Sequence, residues 1–97
     1  MTKINDKNPW LWVVIQNPGE NEQILGQHDE KNGVSFIPSF REKDTALICL
    51  RQLAHEANEK YEVQAIHYKQ LGRQVAEDGF LIFVLNEKGE VIEKIEP

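Results

Sequence analysis

Two stretches of the chain, residues 10–15 and 80–85, are apolar at every position. A strand that is buried on both faces of a sheet has this continuous pattern, and residues 10–15 are also rich in the aromatic and β-branched types that strands favour. The pattern therefore predicts two central strands. Each stretch is far shorter than the ~20 apolar residues of a membrane-spanning helix, so we expect no association with a membrane.

Shorter stretches predict the rest of the sheet. Residues 22–28 follow a turn-forming segment and would pair back as an edge strand, and residues 34–40 and 61–66 also have strand patterns. A last strand at residues 90–95 would form a hairpin with residues 80–85. Pro38 has no N–H group to donate, which predicts that its strand lies at an edge or turns this position outward.

Helical periodicity is clearest between residues 41 and 59. Ser39, followed by Glu42 three residues later, fits a capping box, so we expect the Ser39 side chain to cap this main helix. A shorter helix is predicted at residues 68–77. The stripe of the main helix consists of Ala46, Leu47, Leu50, Leu53, Ala54 and Ala57. The buried face of the short helix consists of Tyr68, Leu71, Gly72 and Val75.

These elements have the order β-β-β-α-β-α-β-β and predict an α+β fold. We expect a single, mainly antiparallel sheet of five or six strands with two helices packed on one face. Residues 1–8 are polar and unpatterned, which is typical of a flexible tail, and residues 9–97 would form one domain.

Two stretches resemble a family of short proteins of unknown function found mainly in cyanobacteria and plastids. They are residues 13–22, VVIQNPGENE, and residues 34–46, VSFIPSFREKDTA. In that family a strand and an asparagine-glycine loop precede a second strand that continues into an acidic helix start. The resemblance implies the same element order for this chain.

Residues 37–46 and 79–86 are more loosely similar to the amino-terminal domain of SseB-like proteins. There a strand and a short helix lead to a closing strand that ends in asparagine. This chain departs from that pattern after Asn86, since it has Glu87 and Gly89 where the SseB-like family continues Asn-Pro-Gly. Neither family supplies catalytic residues to this chain, so both resemblances bear on the fold.

Candidate reactive groups are few. His28, Asp29 and Glu30 are consecutive, and consecutive residues rarely converge on one metal ion, so we expect no metal or other cofactor. Cys49 would need a histidine to activate it, and His55 lies on a different side of the predicted helix. Cys49 flanks the apolar stripe, and we interpret it as a small, semi-buried hydrophobe. No phosphate-binding glycine motif or nucleophile elbow occurs, which favours a non-catalytic domain over an enzyme.

The overall charge excludes one class of partner. Lysine and arginine number 11 against 16 acidic residues, for a net charge of −5, whereas nucleic-acid binding needs a basic surface. A single cysteine excludes an internal disulfide, and the first residues lack the apolar stretch of a signal peptide. These features predict a cytoplasmic protein that does not bind nucleic acid.

The strand at residues 10–15 needs a cover on both faces. With both helices on one side, the face with Trp10, Trp12 and Val14 would be bare, unless the 22–28 strand or the last hairpin folds over it. Ile48 lies opposite the helical stripe. These four residues are our candidate interaction surface, and aromatic rings of this kind are common in interfaces.

We therefore expect a non-catalytic protein-interaction or regulatory module. Its partner would be another protein or a second copy of the chain, which would make a homodimer. The alternative is a small-molecule-binding or enzymatic domain, with a pocket between the loop from Asn17 to Glu20 and the main helix.

Overall fold

The computed structural model describes residues 9–51 and 59–95. The predicted tail and the second half of the predicted main helix lie outside these ranges. No helix within them is long and apolar enough to cross a membrane. The elements are β1 Trp10–Gln16, β2 Gln23–Ile24, β3 Gln27–Asp29, β4 Val34–Phe40, α1 Lys43–Leu50, β5 Tyr61–His67, α2 Tyr68–Ala76, β6 Leu81–Leu85 and β7 Val91–Ile95.

The α+β class is confirmed, and most predicted elements are present within a residue or two of their expected bounds. The buried face of α2 is the predicted one, with Leu71, Gly72 and Val75 buried. The β6–β7 connection contains Gly89 at φ +80°, the left-handed conformation expected of a hairpin glycine. Continuous apolar patterning and turn glycines were sufficient to predict these elements.

The sheet differs from the prediction in size and direction. Within the described residues it has seven strands, in the order β2-β1-β4-β6-β7, with β5 along the other edge of β1 and β3 paired to β4. β4 and β6 are parallel, while the other pairs are antiparallel, so the sheet is mixed. The prediction of five or six strands is therefore wrong.

The two helices pack on opposite faces of the sheet, so the prediction of one shared face is also wrong. Ala46 and Cys49 of α1 join a core cluster with Val14 and Phe40. Leu71 and Val75 of α2 join a second cluster, to which β1 contributes its alternate side chains, Leu11, Val13 and Ile15. Each face of β1 therefore has a helical cover.

Strand order explains why the helices separate. Trp12 lies opposite Phe40 on one side and Ala65 on the other, so β4 and β5 flank β1 and run parallel to each other. The α1 crossover passes from β4 to β5, and the α2 crossover returns across the sheet to β6. Two right-handed crossovers in opposite directions place their helices on opposite faces.

The segment that was predicted to be one edge strand, residues 22–28, instead forms two short strands, β2 and β3. β1 and β4 pair only at Trp12–Phe40 and Val13–Ser39, and then diverge. β2 pairs with β1, and β3 pairs with β4, so the segment fills the gap with two legs that meet at Gly26. Leu25 extends the first leg, since its N–H donates to the carbonyl of Val14 at 2.8 Å. We call residues 23–29 the wedge.

Pro38 lies buried in a central strand, contrary to the prediction for it. Phe40 pairs with Trp12 on the β1 side of β4, and Phe36 pairs with Gln27 on that same side. Pro38 lies between these positions, where β1 has already diverged and the wedge has its apex. Pro38 can lack an N–H group there because no neighbouring strand is placed to accept a hydrogen bond from it.

The start of α1 also differs from the prediction. The N-cap is Glu42, whose side chain makes no capping hydrogen bond. Ser39 is fully buried in β4, and its hydroxyl donates to the carbonyl of Phe83 at 3.0 Å. The capping-box interpretation of Ser39 is therefore wrong. The buried stripe of α1 contains Ala46 and Cys49, whereas Leu47 is 45% exposed.

Candidate functional site

The four residues of the candidate interaction surface have different environments. Val14 is 1% exposed, so it offers no contact area to a partner. Trp12 is half-buried against the α1 cluster, with Lys43 Nζ 5.9 Å from its ring centroid. Trp10 and Ile48 are each 49% exposed. The expected bare sheet face is therefore covered at Trp12 and Val14, whereas Trp10 and the helical residue Ile48 present apolar side chains to solvent.

Trp10 belongs to an aromatic group that the sequence did not predict. His67 lies opposite it in the β1–β5 ladder, and the two rings meet edge to face with centroids 5.5 Å apart. The His67 ring also stacks on Tyr68 at 5.2 Å, and its Nδ1 accepts a hydrogen bond from the N–H of Lys69 at 3.2 Å. The group is fixed at the junction of β5 and α2, so Trp10 is held at the surface by its neighbours.

The outer side of β5 is an open strand edge. Asn17 N–H donates to Lys60 O at 2.8 Å at one end of the β1–β5 ladder, and Tyr68 N–H donates to Pro9 O at 2.9 Å at the other. Along an antiparallel ladder, hydrogen-bonded pairs alternate with pairs that are not hydrogen-bonded. Lys60 and Tyr68 are both bonded to the β1 side, so the even-numbered residues of β5 direct their N–H and C=O groups towards β1. The odd-numbered residues direct their N–H and C=O groups outward.

Among the described residues, β1 is the only strand that pairs with β5. The outward backbone groups of Val63 and Ala65 have no partner strand in this part of the chain. His67 is the N-cap of α2, so its C=O accepts the first hydrogen bond of that helix and only its N–H is directed to a new strand. The edge is seven residues long and its register to β1 is unbroken. Such an edge is a template for another strand.

β7, at the opposite side of the sheet, is a poorer template. It has five residues, and the β6–β7 register shifts between Val84 and Leu85. An exposed lysine, Lys94, extends its Nζ over the Phe83 ring at 5.5 Å. Short length, irregular register and an edge lysine are the features by which proteins block edge pairing.

A cleft of about 640 Å³ lies between the legs of the wedge and the end of α2. Gln16 and Glu22 line it, so it adjoins the loop where a pocket was predicted. Its other wall is Gln74 and Val75 of α2, whereas the prediction placed the main helix there. The cleft thus adjoins the loop named in the prediction, but the helix beside it is α2 and not the main helix.

The chemistry of the cleft is that of amides and carboxylates. Glutamine side chains come from both walls, Glu22 and Asp78 add negative charge, and no lysine or arginine is among its lining residues. His28 Nδ1 lies 3.0 Å from Ser35 Oγ, and His28 forms no ion pair with a carboxylate of the described chain.

The other candidate reactive groups have structural roles. Cys49 is fully buried in the α1 core cluster, and this burial raises the pKa of its thiol. The Asp29 carboxylate accepts hydrogen bonds from Asn32 Nδ2 at 2.8 Å and from Lys31 N–H at 3.1 Å, which shape the β3–β4 turn. Residues 9–51 and 59–95 contain no group of three or more ligand side chains positioned for a metal ion.

Reasoning from sequence did not identify His67 or the edge of β5. The alternation of residues 61–66 indicated a half-buried strand but contained no signal for its position in the sheet. Comparison with family models, curated proteins and solved structures finds no match to this chain.

Proposed function

We propose that this domain is a non-catalytic protein-interaction module that accepts a partner strand at the open edge of β5. The observation that supports this function is the pair of outward N–H and C=O groups at Val63 and at Ala65, followed by the outward N–H of His67. Main-chain hydrogen bonds to such a row give affinity, and the side chains beside it give specificity.

The half-exposed Trp10 strengthens the proposal. It lies one strand from the edge, held by the His67 ring at 5.5 Å. Tryptophan is the residue type most enriched at binding hot spots, and its orientation here requires no ordering when a partner binds. The surface is therefore a row of hydrogen-bonding groups with an aromatic anchor at one end.

The test compares two variants at one outward position. Ala65→Pro removes the outward N–H and leaves the β1–β5 hydrogen bonds in place, while Ala65→Thr keeps the N–H and suits a strand. We expect light scattering over a tenfold concentration range to show association for the wild type and for Ala65→Thr, and its loss in Ala65→Pro. If the wild type associates and Ala65→Pro associates equally well, the proposal is contradicted, with circular dichroism as the control for folding.

A second candidate function is small-molecule binding in the cleft, which the facing glutamine walls favour. Its volume lies within the range of ligand pockets, about 300–1,000 Å³. Negative charge and amides suit a neutral or cationic polar ligand. Saturation to about 100 times Kd would stabilise the fold by about 2.7 kcal/mol, which thermal-shift screening detects. Asp78→Asn is the matched variant, and a panel of amines and uncharged metabolites without any shift would exclude this function.

A further inference from the structure

We propose that the strand added to β5 is the β5 strand of a second copy, paired antiparallel about a two-fold axis at Gln64. This inference rests on the proposed function of the β5 edge and names its partner. Two observations support it: the outward direction of the backbone groups of β5, and the side chains that the two-fold axis brings together.

Backbone geometry restricts the registers. Hydrogen bonds across a new antiparallel joint require outward groups opposite outward groups, so odd-numbered residues must face odd-numbered residues. An axis at Gln64 satisfies this condition and pairs Val63 with Ala65 of the second copy, and Ala65 with its Val63. It also overlaps the complete seven-residue strand. Moving the axis to a neighbouring residue would still pair odd-numbered residues with each other, but fewer residues of the two β5 strands would overlap.

Side-chain charge also fits this register. Gln64 lies opposite Gln64 of the second copy, and two amides can donate and accept reciprocally. Glu62 lies opposite Ile66 of the second copy, so the two Glu62 carboxylates are four residues apart along the joint, roughly 13 Å at 3.3 Å per residue. The chains each have a net charge of −5, yet no like charges face each other at the joint.

In the same register, the second copy lies next to the aromatic group of Trp10, His67 and Tyr68. It places Tyr61 of one copy opposite His67 of the other, on the face where His67 contacts Trp10. Large rings reach across neighbouring strands, and aromatic cross-strand pairs stabilise sheets. The two-fold axis repeats this contact at both ends of the joint, so both copies of His67 gain a neighbour.

Cysteine cross-linking tests the axis. At Gln64 the opposed residues form a non-hydrogen-bonded pair with Cα atoms about 4.5 Å apart, a distance that a disulfide spans. We expect Gln64→Cys to form a covalent dimer under mild oxidation, seen on a non-reducing gel. Glu62→Cys is the matched control and should remain a monomer on the gel. The native Cys49 is buried and does not compete.

The outcomes separate this inference from the proposed function. A cross-link in Glu62→Cys, or an associated wild type whose Gln64→Cys variant does not cross-link, overturns the axis. A wild type that is monomeric at every concentration overturns the self-pairing, and the proposed function survives if Ala65→Pro still abolishes binding to another protein. Dimers that persist in Ala65→Pro overturn both. If both proposals hold, Ala65→Pro raises the dimer dissociation constant at least about tenfold, because two hydrogen bonds are lost per dimer.

Discussion

Gly26 lies directly beneath the ring of Phe80: a Cβ atom on Gly26 would be 2.5 Å from Cε2 of that ring. The contact fixes the apex of the wedge against the strand that follows α2. It explains why a glycine occupies the turn between β2 and β3, since a side chain there would displace the ring.

We predict that Gly26→Ala lowers the free energy of unfolding by about 1–3 kcal/mol, the usual cost of overpacking. Urea unfolding measures the change. The double variant with Phe80→Leu should recover part of the loss, because the two residues are in contact. Gly19→Ala is the matched control: its φ of +82° strains a side chain, but no atom lies within 4 Å, so Phe80→Leu should not rescue it. A neutral Gly26→Ala would contradict the contact.

Ser39→Ala should lower the free energy of unfolding by about 1 kcal/mol through loss of the buried hydrogen bond to Phe83. Loss of a helix cap would also cost about 1 kcal/mol, so the change in stability alone does not distinguish the two roles of Ser39, and hydrogen exchange separates them. We expect the first turn of α1 to exchange as in the wild type, whereas loss of a cap would accelerate it. Ser35→Ala, at the exposed His28 contact, is the control and should change stability little.

The Ser39 case shows where sequence information ended. A serine three residues before a glutamate is a local pattern, and whether it caps a helix depends on where the strand before it ends. Element types followed from periodicity, which is also local. The faces of α1 and α2 depend instead on the order of β1, β4 and β5, and that order is set by pairings between distant segments.

Trp10 and Trp12 should respond differently to replacement by serine. Trp12→Ser opens the α1 core cluster and should cost about 2 kcal/mol or more of unfolding free energy, because the ring is half-buried. Trp10→Ser should cost less and should weaken association at the β5 edge. Thermal melting and light scattering of the two variants provide the comparison, and a reversed order of effects would show that Trp10 is the core residue.

The Asp29 carboxyl should titrate below its ordinary range. The Asn32 side chain is the main cause, and the Asn32 and Lys31 N–H groups add to it, so the folded chain lowers the pKa of Asp29. The stability from these bonds is present above the unfolded pKa of aspartate and is lost as pH falls through the lowered folded value. NMR titration of Asn32→Ala should show the Asp29 pKa rising towards its ordinary value, and an unchanged value would refute the assignment.

The candidate site was only partly accessible to sequence reasoning. Trp10 is a conspicuous apolar residue, and its exposure was expected. Its partner His67 has no periodic signal, and Val14 was assigned to a surface that α1 covers. An edge is a property of the assembled sheet, so Ala65 could be recognised as an edge residue only after the position of β5 was known.

The position of β1 has a consequence for how the chain reaches this structure. β1 pairs with β5 along its whole length, about half the chain away, and it pairs with β4 at only two positions. During synthesis β1 therefore lacks its main partner strand, and its two apolar faces stay exposed, until β5 has been made. Such long-range pairing slows folding and leaves aggregation-prone surface exposed meanwhile. We expect truncated chains that end before residue 60 to be insoluble, and nascent chains of this protein to depend on chaperones until β5 is available.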